Sequence, residues 1–295
     1  MINKSEITKK YGKISKYEII GNVSIIYTEK GIYCLKKQKR MDIKEVHSYI
    51  KSKNYINILD LDVIDGFEVT PFIKDYKTPL EDRLSTLVYL VSLLHTKTTF
   101  YKKISLDEIK EIYESKTEKI LYTKEYYESL CYKKDLDNML SPSDYLFIRN
   151  ISIVLLSLNR SKSFLDKWYK CFKDKTSKRC VLNHNNLDTS HILINDIPFL
   201  INFNDSVFDS PIIDLESIIR NNYKNIDISS MFNSYISRYS LNNCELYLFY
   251  SNILMPFTLN DEKLEIERCK NVYEFYNYLD AVNKFISENN SIKNK

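Results

Sequence analysis

The side chains best suited to chemistry are concentrated in residues 184–191, a polar segment between two β-rich runs. It reads His184-Asn185-Asn186-Leu187-Asp188-Thr189-Ser190-His191 and lies between Val181-Leu182 and Ile192-Leu193-Ile194. Histidine and aspartate bind metals and transfer protons, so His184, Asp188 and His191 could form a transition-metal site. No third His or Cys is near in sequence, and the Asn186 amide accepts no proton near neutral pH. The residues alone therefore predict a structured polar loop and no metal site.

The elements that must position this loop begin with a β-rich segment. Gly21-Asn22, Glu29-Lys30-Gly31 and Asp65-Gly66 are turn signals between short β-rich runs. They predict strands over Tyr17–Ile20, Val23–Tyr27, Ile32–Leu35, Ile56–Val63 and Phe67–Ile73, with one helix over Asp42–Lys53.

A helical region follows, with the polar loop and its hairpin (181–203) embedded in it. A capping box is predicted at Thr78-Pro79-Leu80-Glu81, and Ser105-Leu106-Asp107-Glu108 is predicted to cap a second helix. Ser141-Pro142 opens a helix predicted to end near Leu158, and residues 163–173 form a separate amphipathic stretch. Helices return after Asp214, with the longest predicted near the end of the chain. The sequence thus predicts a small β-rich domain over 1–76 and a helical domain over 77–295.

This order of elements and the loop together carry a resemblance. In aminoglycoside-phosphotransferase-like proteins, of the protein kinase-like superfamily, the loop is H-G-D-L-x-x-x-N, followed by a hairpin and I-D-W or I-D-F. The chain is similar, with His184 to His191 and then Leu200-Ile201-Asn202-Phe203. Met255-Pro256-Phe257 resembles a segment of bacterial spore-coat kinase-like proteins of the CotS and YutH type. The resemblance implies an α+β, two-lobed kinase-like fold, with a small antiparallel β lobe and a larger helical lobe.

The resemblance also implies roles for individual residues of the loop and the hairpin. Asn186 stands at the position of the catalytic base, and His191 and Asn202 stand at the two metal positions. His184 packs and hydrogen-bonds the loop in the family. Asp188, two residues beyond the base position, is the carboxylate that could replace the missing base.

Three further positions follow from the same resemblance. Lys36 ends the third strand at the place of the phosphate-pairing lysine, and Glu45 on the next helix stands where its partner would lie. Asp214, in Asp209-Ser210-Pro211-Ile212-Ile213-Asp214-Leu215, matches the aspartate that holds the catalytic loop and opens a helix.

The three replaced positions decide the predicted function. Phosphoryl transfer needs a base and metal ions, whereas Asn186 is not a base and Asn202 and His191 are poor ligands for Mg²⁺. The sequence therefore predicts a pseudokinase that acts in binding or assembly, with coat or envelope proteins as partners. Two alternatives stay open: an ATP-dependent phosphotransferase acting on a hydroxyl with a rebuilt site using Asp188 or Asp205, and a regulator that binds ATP through Lys36 without turnover.

The composition argues against several other classes of protein, namely nucleic-acid-binding, disulfide-bonded and membrane-spanning proteins. Residues 1–59 hold 13 Lys and Arg against 5 Asp and Glu, but a lysine-coated sheet explains this charge better than nucleic-acid binding. The six cysteines form no C-x-x-C pair, which favours reduced structural cysteines. No apolar run is long enough to span a bilayer, and residues 1–10 lack a signal core. We expect a protein made in the cytoplasm, with later association with a spore coat or envelope left open.

Overall fold

The computed structural model describes residues 4–135, 139–259 and 264–293. The strands are β1 Ile14–Ile20, β2 Val23–Thr28, β3 Gly31–Lys37, β4 Asp62–Ile64, β5 Phe67–Pro71, β6 Phe100–Lys103, β7 Ser177–Asn183, β8 Ile192–Leu193, β9 Phe199–Leu200 and β10 Val207–Asp209. The helices are α1 Lys4–Tyr11, α2 Ile43–Ser52, α3 Leu80–Thr98, α4 Leu106–Asp135, α5 Pro142–Phe172, α6 Ile212–Asn222, α7 Ile228–Ile236, α8 Asn243–Ile253 and α9 Glu265–Lys293.

The chain divides into two compact units, each built from two segments. The first unit contains the described residues up to Thr99 together with Leu182–Phe208. The second contains Phe100–Val181 and the described residues from Asp209 onward. The polar loop and its hairpin therefore belong to the first unit, together with the N-terminal sheet. The boundary at residue 76 stays a prediction.

An antiparallel five-stranded sheet in the order β1-β2-β3-β5-β4 forms the base of the first unit. Asp65 and Gly66 both have positive φ, 50° and 75°, which is the two-residue turn that matches the twist of a hairpin. The predicted turn between β4 and β5 is thus confirmed. The inner face of the sheet buries a small apolar cluster of Ile7, Ile26, Leu35, Ile64 and Val69.

Helix α2 contributes Ile43, Val46 and Ile50 to the buried interior of the same unit. Their helical spacing predicted this buried face. Because the face follows this spacing, Glu45 lies off it and is exposed.

Several elements of the structure differ in their bounds from those that the sequence predicts. Of the strand predicted over 56–63, only residues 62 and 63 lie in a strand, which is β4 (Asp62–Ile64). The predicted capping box at Thr78 is wrong, because Pro79 is the N-cap of α3 and no side chain caps it. Helix α5 runs unbroken for 31 residues, so the predicted end near Leu158 is also wrong. Ser105, in contrast, caps α4 as predicted, and it exchanges with Glu108 both hydrogen bonds of a capping box.

The second unit is built around the long helices α4, α5 and α9, with α8 packed on α5. Buried tyrosines tie these helices together through their hydroxyl groups. Tyr278 donates to the Ile253 carbonyl at 2.6 Å, and Tyr276 donates to the Phe147 carbonyl at 2.7 Å. Tyrosine fits such sites because its ring is apolar and its hydroxyl needs one partner.

A disulfide joins Cys171, at the end of α5, to Cys244, at the start of α8. The expectation that all six cysteines are reduced is therefore wrong for these two. They are 73 residues apart in sequence, and only the packing of α8 on α5 brings their Cα atoms to 5.7 Å. Spacing along the chain carries no signal for such a pair.

The architecture is α+β, with an antiparallel sheet and a larger helical part, as predicted. Within residues 4–135, 139–259 and 264–293, no helix is long and apolar enough to cross a membrane.

Candidate functional site

The polar loop follows β7 and turns through a short 3-10 helix, Thr189–His191, into the β8–β9 hairpin. Asn185 and Asn202, at the two ends of this region, adopt the left-handed conformation with φ of 61° and 70°. Asparagine is one of the few residues other than glycine that tolerate it. These two positions set the path of the backbone on both sides of the hairpin.

An arginine clamp holds the 3-10 turn. Arg83 of α3 donates to the carbonyls of Thr189 and Ile192 at 2.9 and 2.8 Å. Its guanidinium also pairs with Asp75 at 3.0 Å, and Asp75 accepts the Ile194 amide at 2.8 Å. The planar donor fork of arginine suits this arrangement of several fixed acceptors. The loop is therefore positioned by side chains that the sequence analysis did not single out.

His184 is fully buried, and its Nε2 lies 2.8 Å from the Ile201 carbonyl. Its ring packs edge-on against Phe203, with ring centroids 5.0 Å apart. These contacts tie the start of the loop to the far strand of the hairpin. They match the structural role that the resemblance implies for this histidine.

A continuous hydrogen-bond relay joins four of the predicted site residues. The Lys36 ammonium donates to Asn202 Oδ1 at 2.7 Å. The Asn202 side-chain nitrogen faces His191 Nε2 at 3.0 Å. His191 Nδ1 lies 2.6 Å from the backbone carbonyl oxygen of Asn186. These contacts bring together Lys36, Asn202, His191 and Asn186, and the roles that the resemblance implies for them stay predictions. We call this chain of contacts the Lys36–Asn186 relay.

The direction of each bond in the relay follows from the chemistry of the groups. A carbonyl only accepts, so His191 Nδ1 carries the proton and His191 Nε2 is an acceptor. The Asn202 NH₂ donates to that Nε2, which leaves Asn202 Oδ1 as the acceptor of both Lys36 and Asn204, the latter at 3.1 Å. Every lone pair that Asn202 Oδ1 offers is in use.

This donor set does not fit Mg²⁺. The ion prefers hard oxygen ligands, usually with a carboxylate among them. At the two metal positions the structure has one amide oxygen, already shared by two donors, and an imidazole nitrogen that accepts from that same amide. Among the described residues, no cluster of three or more His, Cys, Asp or Glu side chains could hold a metal ion.

Glu68, and not Glu45, lies beside Lys36. Glu68 of β5 stands directly opposite Lys36 of β3 in the sheet register, whereas Glu45 is exposed on α2. Burial lowers the pKa of Lys36 and raises the pKa of Glu68, and in each case the attraction between the two charges opposes the shift. The cross-strand register is the signal that would have identified Glu68 from the sequence.

Two carboxylates of the loop region, Asp188 and Asp205, make different contacts. Asp188 Oδ1 caps the 3-10 turn by accepting the Ser190 amide at 2.8 Å, and hydrogen bonds from Ser190 lower its pKa. Asp205 Oδ2 accepts from the Asn186 side-chain amide at 2.8 Å, and its carboxylate is exposed. Asp205 is therefore the carboxylate in contact with the base position, and Asp188 is engaged elsewhere.

Asp214 belongs to the second unit and is fully buried in the first turn of α6. Helix α6 begins at Ile212, within two residues of the predicted start. The role of Asp214 in holding the catalytic loop stays a prediction.

No protein-family model matches the sequence, and no curated protein matches it. Solved structures do. The chain is similar to an aminoglycoside phosphotransferase from Alicyclobacillus acidocaldarius, with a TM-score of 0.73 and 9% identity over 100% of this chain and 97% of that one. It is also similar to an AMP-bound spectinomycin phosphotransferase (TM-score 0.55, 14% identity, 94% and 96% covered) and to a glucosamine kinase (TM-score 0.52, 8% identity, 93% and 77% covered). The predicted resemblance to aminoglycoside phosphotransferases is thus confirmed at the level of the fold.

Proposed function

We propose that this chain is a pseudokinase, a kinase-fold protein that binds or assembles with other molecules and does not carry out ordinary phosphoryl transfer. The Lys36–Asn186 relay is the observation that carries the proposal. In it, the lysine expected to pair with phosphate and the groups expected to bind metal are hydrogen-bonded to one another.

The chemistry of the replaced groups supports this conclusion. A transferred phosphoryl group needs a base for the acceptor hydroxyl and metal ions that neutralise the charge on the phosphates. Asn186 has an amide that accepts no proton, and Asn202 Oδ1 already accepts from Lys36 and Asn204. Since losing one catalytic group costs about 10²–10⁴ in rate, losing base and metal ligands together leaves almost no turnover.

Nucleotide binding without turnover is part of the proposal. The similar spectinomycin phosphotransferase is AMP-bound in its structure. In this chain Lys36 would have to exchange Asn202 for a phosphate, so we expect ATP to bind weakly and without Mg²⁺. The partners we propose are proteins of a coat or envelope layer, as the likeness to spore-coat kinase-like proteins implies.

The test is a thermal-shift titration with ATP, with and without Mg²⁺, together with an assay for ADP. We expect no shift that depends on metal and no ADP. A ligand present at 100 times its Kd adds about 2.7 kcal/mol to stability, so a shift would be easily seen. A metal-dependent shift with ADP formation would overturn the proposal.

A matched pair of variants sharpens this test. Asn186→Asp combined with Asn202→Asp returns a base and a metal-binding carboxylate to the site, and we expect this variant to gain a shift that requires Mg²⁺. Lys36→Met instead removes the ammonium group that we expect to bind phosphate. If wild-type protein binds ATP without metal, Lys36→Met should weaken that binding, which would identify a nucleotide-binding regulator.

A rebuilt phosphotransferase is the second candidate, favoured by the contact of Asp205 with Asn186. It predicts ATP consumption in the presence of a hydroxyl acceptor that Asp205→Asn abolishes. Asp188→Asn is the control, since the Asp188 carboxylate caps the 3-10 turn. ATP consumption that survives Asp205→Asn but not Asp188→Asn would move the role to Asp188, and ATP consumption that survives both substitutions would exclude this candidate.

A further inference from the structure

A large cavity lies within the second unit and is not part of the candidate site. Its volume is about 730 Å³, and its lining comes from strands β6 and β7 and from helices α4, α5, α6 and α8. Pockets for small molecules typically measure about 300–1,000 Å³ and have mostly apolar walls with a few polar groups. Here the apolar wall includes Trp168 and Phe172, whose rings stack with centroids 5.6 Å apart, and Leu248.

Two of the basic side chains in the wall are already neutralised. Lys178 pairs with Asp209 at 2.9 Å. Arg179 forms an ion pair with Glu245 through two nitrogens, and Nε is 2.8 Å from Glu245 Oε1. These charges are satisfied within the protein and have little attraction left for a ligand.

Lys116 is different. Its Nζ donates to the neutral Asn252 Oδ1 at 2.9 Å, and among the described residues no carboxylate lies within ion-pairing distance. Burial lowers the pKa of this ammonium group. An ammonium group has three donors, of which the Asn252 contact uses one. A second cavity of about 290 Å³ is also lined by Lys116, Ile213 and Asn252, so Lys116 borders both.

Two carboxylates attract the Lys116 ammonium group, Glu216 and Asp209, but each already pairs with another cation, Arg220 and Lys178 respectively. A partly desolvated cation in this position is costly unless an anion neutralises it. We infer that the cavity binds an apolar, aromatic molecule that carries one negative group, a carboxylate or a sulfonate, with the anion on Lys116 and the ring system against Trp168 and Phe172. This site is independent of phosphoryl transfer and of the proposed function.

The experiment compares two fluorescent probes that share one aromatic skeleton. 8-Anilinonaphthalene-1-sulfonate carries the negative group, and N-phenyl-1-naphthylamine lacks it. We expect both to bind the folded protein, the sulfonate more tightly. Lys116→Met, which keeps the stem and removes the charge, should weaken sulfonate binding at least tenfold and change binding of the neutral probe less than twofold.

Two further variants keep the inference falsifiable. Lys119→Met removes an exposed lysine of the smaller cavity and should change neither affinity. Leu248→Trp should fill the larger cavity and weaken both probes, with folding checked by near-UV circular dichroism. Equal sulfonate affinity in wild type and Lys116→Met would overturn the inference. So would equal losses for both probes in Lys116→Met, or the same loss in Lys119→Met as in Lys116→Met.

Discussion

Asn202 performs two tasks that a carboxylate could not combine. Its NH₂ donates to His191 Nε2, while its oxygen accepts from Lys36 and Asn204. An aspartate would present only acceptors and would face the lone pair of that imidazole nitrogen. The amide also suits the backbone, because Asn202 has φ of 70° and asparagine tolerates the left-handed region. The amide, which is a poorer ligand for Mg²⁺ than a carboxylate, is therefore the group that completes the relay.

Lys36 should be important for stability as well as for ligand binding. Its ammonium group lies opposite the buried Glu68 and bonds to Asn202. Lys36→Met removes the stronger of the two positive charges that act on the buried Glu68, the other being Lys39, so we expect a loss of about 1–3 kcal/mol in the free energy of unfolding. Urea unfolding measures this loss.

Lys37→Met is the matched control, since Lys37 is the next residue of β3 and is exposed. It should change stability by less than about 0.5 kcal/mol. Adding Glu68→Gln to Lys36→Met should recover part of the loss. Equal stabilities of the two lysine variants would show that the Lys36–Glu68 neighbourhood contributes nothing.

The matches to the loop, hairpin and strand of aminoglycoside phosphotransferases were sufficient to select Lys36, Asn202, His191 and Asn186, which the structure brings together. They were not sufficient for Glu45, which was chosen by its position after the lysine in sequence. Glu68 was missed because its proximity to Lys36 depends on the pairing of β5 with β3, a contact between strands that are distant in sequence. Charge partners set by long-range register are the hardest to infer from one sequence.

At the scale of elements, the strands with clear turn signals were predicted well and the long helix α5 was not. The apolar pattern of α5 is interrupted by polar residues after Leu158. Ser161 donates to the Ser251 carbonyl at 2.8 Å, and Arg160 donates to Asn283 Oδ1 at 2.6 Å. These polar side chains face other helices and not solvent. Because polar residues were taken to be exposed, the sequence pattern predicted a break in α5 where the helix in fact continues.

The disulfide between α5 and α8 should stabilise the second unit. A cross-link of this kind restricts the unfolded chain and typically contributes about 2–4 kcal/mol. We expect the double variant Cys171→Ser with Cys244→Ser to lose stability in this range, as measured by urea unfolding under oxidising conditions. Dithiothreitol should lower the stability of wild-type protein and leave the double variant unchanged. Equal unfolding midpoints of oxidised and reduced wild type would contradict this prediction.

At the scale of the whole molecule, stability should depend on pH in the mildly acidic range. Burial lowers the pKa of His47 to about 4, and its ring packs edge-on to Phe203. The unfolded chain has a histidine pKa of about 6.5. Between these two values the unfolded state binds the extra proton, so stability falls as pH decreases from about 6.5 toward 4, by up to about 3 kcal/mol.

His47→Phe isolates this contribution, since phenylalanine keeps a ring beside Phe203 and cannot be protonated. The free energy of unfolding should change less with pH in the variant than in wild type over pH 4.5–7. Urea unfolding at a series of pH values measures the difference. Parallel curves for the two proteins would show that His47 does not titrate on unfolding.

The general architecture could be predicted because it follows from local signals, namely turns, caps and apolar periodicity, together with one recognisable loop. Which segments of the chain make up each of the two units could not be predicted in this way. The first unit joins Leu182–Phe208 to residues before Phe100, and this depends on pairing between distant segments. Asn57 is one such link, since it donates to the Pro198 carbonyl at 2.8 Å and accepts the Leu200 amide at 2.9 Å.

This split construction has a consequence during synthesis. At about 5–20 residues per second, a ribosome needs about 4–16 s to pass from residue 100 to residue 181. During that interval the N-terminal sheet, with Lys36, has emerged without the hairpin that supplies Asn202. Asn57 meanwhile lacks the partners on Pro198 and Leu200 that it has in the finished unit. The nascent chain therefore exposes an incomplete interior for seconds, and a chaperone that binds exposed apolar segments would act at this stage.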